Sequence, residues 1–251
     1  MKEPMKKMSF GDHLEELRRR IIRSVIALLL VFVACLLLQE ELFHIVMMPH
    51  EKAMAGLVAD NPSVQGKLVQ LTYTATFFAY LKLSMIAALF IASPYIAYQL
   101  WQFVSAGLFP REKRYVQILA PISFLLFIGG CLFGYYLMIP SGLSYLAGYS
   151  PSLVTPMISV SEYLNLVLIL TIVMGVVFEI PLAMLLLSAI GLIRPATYGK
   201  WRKFSIVFMF IAAAVITPTG DPINQTLVAV PMIILYEMGI ILAKIFVRTP
   251  Q

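Results

Sequence analysis

The chain has 251 residues, 60% of them hydrophobic and 13% charged, with a formal net charge of +6. A soluble domain of this size cannot hide so much apolar surface, and the 47 residues from Tyr115 to Ser161 contain no Asp, Glu, Lys or Arg. Composition therefore excludes a soluble globular domain and points to an all-α polytopic membrane protein, a single membrane domain over 1–251.

In chain order, Phe10, Leu14, Leu17 and Ile21 recur at helical spacing while Asp12, Glu15, Glu16, Arg18 and Arg19 take the other faces. This predicts a short N-terminal amphipathic helix along the cytoplasmic membrane surface, with Ser9 as its N-cap. Cutting the apolar runs at charges, prolines and turn residues gives six transmembrane spans: 21–38, 77–101, 118–139, 163–187, 204–216 and 225–243. The first is an uncleaved span and not a signal peptide, since Leu36, Leu37, Leu38, Gln39, Glu40 and Glu41 follow it where small residues would mark a cleavage site. The longest loop, 39–76, is external with a turn at 60–63. The uncharged loop 140–159 reads as a compact cap against the membrane. Span 204–216 is anomalous: 13 residues make about 20 Å of helix against a hydrocarbon core of about 30 Å. Span 225–243 is also short and opens on polar residues, so the two are expected to form a tight hairpin in thinned membrane.

The basic residues follow topology, which argues against a nucleic-acid partner. Of the 19, all but Lys52, Lys67 and Lys82 fall before span one or, as Arg23, at its edge, between spans two and three, between four and five, or after six. The positive-inside bias then places both termini in the cytoplasm. Cys35 and Cys131 lie in apolar runs, where a free thiol is an ordinary small packing residue.

No enzyme signature is present: there is no Cys/His cluster, glycine-rich phosphate loop or nucleophile elbow, and His13, His44 and His50 lack metal-ligand spacing. Three ionisable residues lie within spans and are functional candidates because burying charge in lipid is costly. Lys82 is near enough to the outer edge to snorkel. Glu179 lies deep in span four, followed by Pro181, whose missing N–H predicts a kink and a hydrated or partner-facing concavity. Glu237 is placed either to pair with Lys244 or to act in function. On the cytoplasmic side the acids are few, Glu3, Asp12, Glu15, Glu16 and Glu112 among sixteen basic residues. Such carboxylates either neutralise that surface or receive arginines through paired hydrogen bonds, which lysine cannot match.

The segments His13-Leu14-Glu15-Glu16-Leu17-Arg18, Tyr98-Gln99-Leu100-Trp101 with Phe103, Phe109-Pro110-Arg111-Glu112-Lys113-Arg114, Phe178-Glu179-Ile180-Pro181, Thr217-Pro218, Gln225-Thr226-Leu227 and Ala229-Val230-Pro231 together resemble TatC, the multispanning core subunit of the twin-arginine protein translocase. The resemblance runs in order through nearly the whole chain. Gly107 departs from it, standing where the family often has proline, and Gly220 is an extra residue in the last hairpin.

The resemblance implies a glove-shaped six-helix bundle in the bacterial inner membrane. It implies a receptor for the twin-arginine signal peptides of folded cargo, self-associating and assembling with single-span TatA and TatB type subunits for export driven by the proton motive force, with no cofactor. Glu16 and Glu112 match the signal-contacting acids, Glu179 the acid on the concave side, and Thr217 and Gln225 the polar positions that dock a partner helix. The alternative from the residues alone is an ion-coupled permease that uses Glu179 and Glu237 as proton relays.

Overall fold

A computed structural model describes residues 10–60, 68–108, 113–148, 158–217 and 221–247. Every regular element within them is helical. Five helical segments are long and apolar enough to cross a membrane, and a sixth pass is made by the helix that opens the final hairpin. The passes alternate in direction, which gathers Arg18, Arg19, Arg20 and Arg202 at one end of the bundle, hereafter the basic end.

Helix α1, Phe10–Leu37, is 28 residues long and has no break between its amphipathic and apolar parts. After Gly11 it contains no Gly or Pro, so nothing interrupts the hydrogen-bond ladder over about 42 Å. The segment expected to lie along the membrane surface is therefore the first turns of the first span. Its flank packs on α3, Ala75–Ala106, a 32-residue helix. The lower part of α1 faces outward through Leu29, Leu30, Val33 and Leu37, all more than half exposed, as a lipid-facing surface requires.

The segment 39–60, expected as loop, is helix α2, Gln39–Asp60. Glu40 and Glu41 in its first turn favour the positive end of the helix dipole. Pro49 within it cannot donate to the Ile45 carbonyl and disturbs the turn around it. Two hydroxyls compensate: Tyr135 donates to the Ile45 carbonyl and Tyr163 to that of Val46. Proline is accommodated the same way in α3, where Ser93 Oγ donates to the Phe90 carbonyl at 2.7 Å, the acceptor that Pro94 leaves bare. Of the turn expected at 60–63, Asp60 ends α2 and the rest lies outside the described residues, as does Ser9.

The third pass is longer than expected. Helix α4, Lys113–Phe133, runs through a π-helical turn, Gly134–Met138, into α5, Ile139–Gly148. The helix passes Pro140 because the wider turn, closed by Ile139 N–H on the Gly134 carbonyl, takes up the register that proline disrupts. The expected cap at 140–159 is thus helical as far as Gly148. Its far end, at Ile158 and Val160, exchanges backbone hydrogen bonds with Val69 at 2.9 and 3.2 Å, tying together the two connections at the end opposite the basic one.

Helix α6, Val160–Val177, forms the centre of the bundle, with Tyr163, Leu164, Val167 and Met174 at 0–1% exposure. It lies close against α4 because glycines line the contact. A Cβ at Gly130 would strike the Met174 carbonyl, and one at Gly175 would come 2.7 Å from Cys131 Sγ. Gly130 and Gly134 are spaced as in the small-xxx-small pattern that lets membrane helices approach.

The expected kink at Pro181 is present as a break. Helix α6 ends at Val177, and α7, Ile180–Ala189, restarts with proline in its first turn. Helix α7 closes on Gly191, φ +74°, with Leu192 N–H bonded to the Leu187 carbonyl, a C-terminal motif that needs a residue without a Cβ.

Helices α8, Pro195–Ile216, and α9, Pro222–Phe246, make the last hairpin. With 22 residues, α8 reaches about 33 Å, so the helix itself is not short. Lys200, Arg202 and Lys203 occupy its second and third turns, confining its apolar part to 204–216. Helix α9 has 25 residues, longer than the expected 225–243. Thinning is thus required only as far as the charges of α8 must reach water.

Candidate functional site at the basic end

The first turns of α1 cross the last turns of α3, and this crossing builds the site. The His13 ring stacks on Phe103 with centroids 4.5 Å apart and planes 23° from parallel. Gly107 makes room for it, since a Cβ there would sit 3.1 Å from His13 Cε1. Gly107 is thus the position that seats this imidazole.

One turn on, Glu16 lies over α3 with its side chain 21% exposed. Its Oε1 receives both Nε and Nη2 of Arg20, at 2.7 and 2.6 Å. The remaining guanidinium nitrogen, Nη1, donates to Gln99 Oε1 at 2.9 Å, and Gln99 is buried at 3% exposure. Arg20 therefore bridges an acid of its own helix to an amide of α3. Glu15, one residue earlier, points outward and pairs loosely with Arg18 and Arg19 at 3.9 and 3.4 Å, all exposed. The helix thus presents two acids of different character. Glu15 is solvated, whereas Glu16 is half-enclosed, where a charge-assisted bond is strengthened.

Glu112 lies outside the described residues. Its flank is well anchored: Val116 and Leu119 of α4 pack with Trp101 of α3 and Leu182 of α7 in a separate apolar cluster.

The other expected residues are not gathered here. Glu179 stands at the break between α6 and α7, facing Ser123, and its Oε1 is buried with no hydrogen-bond partner among the described residues. Thr217 and Gln225 lie at the opposite end, each bonded within the hairpin: Thr217 Oγ1 to the Ala213 carbonyl at 2.8 Å, and Gln225 Nε2 to the Phe210 carbonyl at 2.9 Å. Asp221 caps α9, accepting from Asn224 N–H at 2.8 Å.

The two remaining ionisable residues in spans have structural partners. Lys82 donates to Asn165 Oδ1 at 2.9 Å and Ser161 Oγ at 3.3 Å on α6, so it is fixed to a neighbouring helix and does not merely snorkel. Glu237 pairs with Arg202 of α8 and not with Lys244, which takes the second acid from the permease reading. No group of three His, Cys, Asp or Glu suited to a metal occurs among the described residues.

Arg20 and Gln99 were not singled out from sequence as members of the site. The i,i+4 spacing of Glu16 and Arg20 was a readable signal. The contact between Arg20 and Gln99, 79 residues apart, was not.

A family profile described as "Sec-independent protein translocase protein (TatC)" matches residues 12–231. The TatC protein of Koribacter versatilis (strain Ellin345) is 41% identical over 238 residues, covering 95% of this chain and 86% of that protein. The TatC protein of Aquifex aeolicus (strain VF5) is 35% identical over 243 residues, covering 96% and 97%. Among solved structures, one described as the crystal structure of the twin arginine translocase receptor TatC superposes with a TM-score of 0.80 at 36% identity, covering 94% of this chain and all of that one. The chain belongs to the TatC family of Sec-independent protein translocases, as a multi-pass membrane protein of transport and not an enzyme.

Proposed function

We propose that the basic end is the cytoplasmic face of a bacterial inner-membrane receptor, and that Glu16, with Glu112, receives the two arginines of a twin-arginine signal peptide. The observation that carries this reading is the Glu16 carboxylate itself: half-enclosed, fixed on a helix that packs against α3, and already engaged by a guanidinium through two nitrogens. A carboxylate that holds one arginine in this way has the geometry and charge to hold another in its place. The positive-inside distribution supports the sidedness. Single-span TatA and TatB type subunits, docking along the hairpin of Thr217 and Gln225, would complete a complex in which several copies use the proton motive force to move folded cargo.

The test is binding of a synthetic twin-arginine signal peptide to the purified protein in nanodiscs. Glu16→Gln and Glu112→Gln are each expected to weaken binding about tenfold or more, the loss of a charge-assisted contact. Unchanged affinity in the double variant overturns the assignment.

A further inference from the structure

We infer that Arg20 is a resident placeholder for the incoming arginine: it occupies the Glu16 carboxylate in the empty receptor and must leave that carboxylate when a peptide guanidinium arrives. The inference rests on the receptor reading above and adds to it a competitor built into the chain.

The geometry of the two residues is the basis. A peptide arginine binds a carboxylate most strongly as a fork, with two nitrogens on two oxygens. In the empty site Oε1 of Glu16 is taken by Nε and Nη2 of Arg20 at 2.7 and 2.6 Å, so the fork has only one oxygen left. The charge is also already balanced, since the Arg20 and Glu16 side chains are 18% and 21% exposed and screen each other where water does little of the screening. An arriving cation meets a neutral pair and not a bare acid. Gln99 gives Arg20 a second foothold. Its Oε1 accepts from Nη1 at 2.9 Å, so the guanidinium, once released from Glu16, keeps one bond to a buried amide of α3 and does not have to leave the site. The other guanidinium groups of this turn do not serve: Arg18 and Arg19 are 74% and 63% exposed and sit on Glu15.

Such a placeholder has a definite thermodynamic signature. If the carboxylate is free for only a fraction of the time, every ligand that needs it is weakened by that same fraction. Arg20 therefore leaves unchanged the ratio of affinities for arginine and lysine peptides and lowers both together. It sets a threshold: a peptide with one weak basic contact falls below useful affinity, while one with two forked contacts stays above it.

The experiment measures binding of a twin-arginine peptide and its twin-lysine analogue to the full chain in nanodiscs, comparing Arg20→Met, Arg20→Lys, Glu16→Gln and Glu16→Gln/Arg20→Met with the unaltered protein. Methionine retains an unbranched apolar stem against α3, and helical content and thermal unfolding are followed for each variant. Arg20→Met is expected to tighten both peptides by about fivefold, with the ratio between them constant. Arg20→Lys, which cannot hold Glu16 and Gln99 with a rigid fork, is expected to tighten them less. In the Glu16→Gln background the substitution at Arg20 should have no further effect. If Glu16→Gln weakens binding while Arg20→Met weakens it or leaves it unchanged, Arg20 only positions Glu16 and the inference fails with the receptor reading intact. If Glu16→Gln changes nothing, the receptor reading itself fails. If either protein at position 20 unfolds, hydrogen exchange in the unaltered chain decides: peptide added to it must free Arg20 Nε–H from Glu16, seen as faster exchange of that proton, and unchanged exchange overturns the inference.

Discussion

Arg202 and Glu237, 35 residues apart, meet as a fork on a fork: Nε reaches Oε1 at 2.6 Å and Nη2 reaches Oε2 at 2.8 Å. The pair joins α8 to α9 at the basic end, where three cations crowd the second and third turns of α8. Both side chains are substantially exposed, at 49% and 34%, so solvent screening limits the gain. A double-mutant cycle of Arg202→Ala and Glu237→Ala is expected to give a coupling of about 0.5–1 kcal/mol in thermal unfolding in detergent. Transport should survive Glu237→Gln if the residue is structural. Abolished transport with unaltered stability would restore Glu237 as a proton carrier.

The contact of α4 with α6 makes a second expectation sharp, because neighbouring glycines differ. A Cβ at Gly175 would sit 2.7 Å from Cys131 Sγ and 2.8 Å from the Phe127 ring, and one at Gly130 would strike the Met174 carbonyl. At Gly129 it would meet nothing within 4 Å. Gly130→Ala and Gly175→Ala are expected to destabilise by about 1–3 kcal/mol through overpacking, whereas Gly129→Ala should be neutral or slightly stabilising. Equal effects at 129 and 130 would show that the helices do not approach as described.

Glu179 supports a third expectation. Its carboxylate stands at a helix break with Oε1 buried and unbonded among the described residues, and such a group in a span is stable only if a partner or water reaches it. Glu179→Gln should keep more transport than Glu179→Leu, while both fold. A cysteine at 179, in a chain lacking Cys35 and Cys131, is expected to react with a water-soluble maleimide. Complete protection of that thiol in membranes would place the residue away from water.

At the other end, Gln225 spends its amide on the Phe210 carbonyl and so ties the two helices of the hairpin near their tip. Gln225→Leu removes that tie and the polar group proposed to meet a partner helix. Crosslinks from positions along 204–217 and 222–230 to a single-span partner are expected to fall while peptide binding at the basic end is retained. Crosslinking that persists at full yield, or that maps to another face, argues for a different dock.

The passages that were legible in the sequence share a cause: long apolar runs between charges, and a proline placed where a helix must break. The break at Glu179 and Pro181 was readable because Pro181 falls in the first turn of α7, where a missing N–H costs the new helix nothing. Pro49, Pro94 and Pro140 carry the same local signal and yet sit inside helices, because Tyr135 and Tyr163, Ser93 and the π-helical turn satisfy what each proline disturbs. Two of those solutions lie about ninety or more residues away along the chain. Glu16 was legible as an acid in a basic surround, but its occupancy by Arg20 depends on Gln99, whose placement only packing determines. The continuous run of α1 from surface to span was legible in its lack of Gly and Pro, and the change of pattern from amphipathic to apolar obscured it.

The two tyrosine hydroxyls that close over α2 have a mechanical corollary. Lifting α2 away would strip the Ile45 and Val46 carbonyls of their donors and leave the phenols of Tyr135 and Tyr163 without acceptors, one on the third pass and one at the head of the central helix. Four polar groups would lose partners in one motion, at about 1–3 kcal/mol for each that finds no water. That end of the molecule therefore behaves as a clamped frame, in which α2, the third pass and the central helix can separate only together.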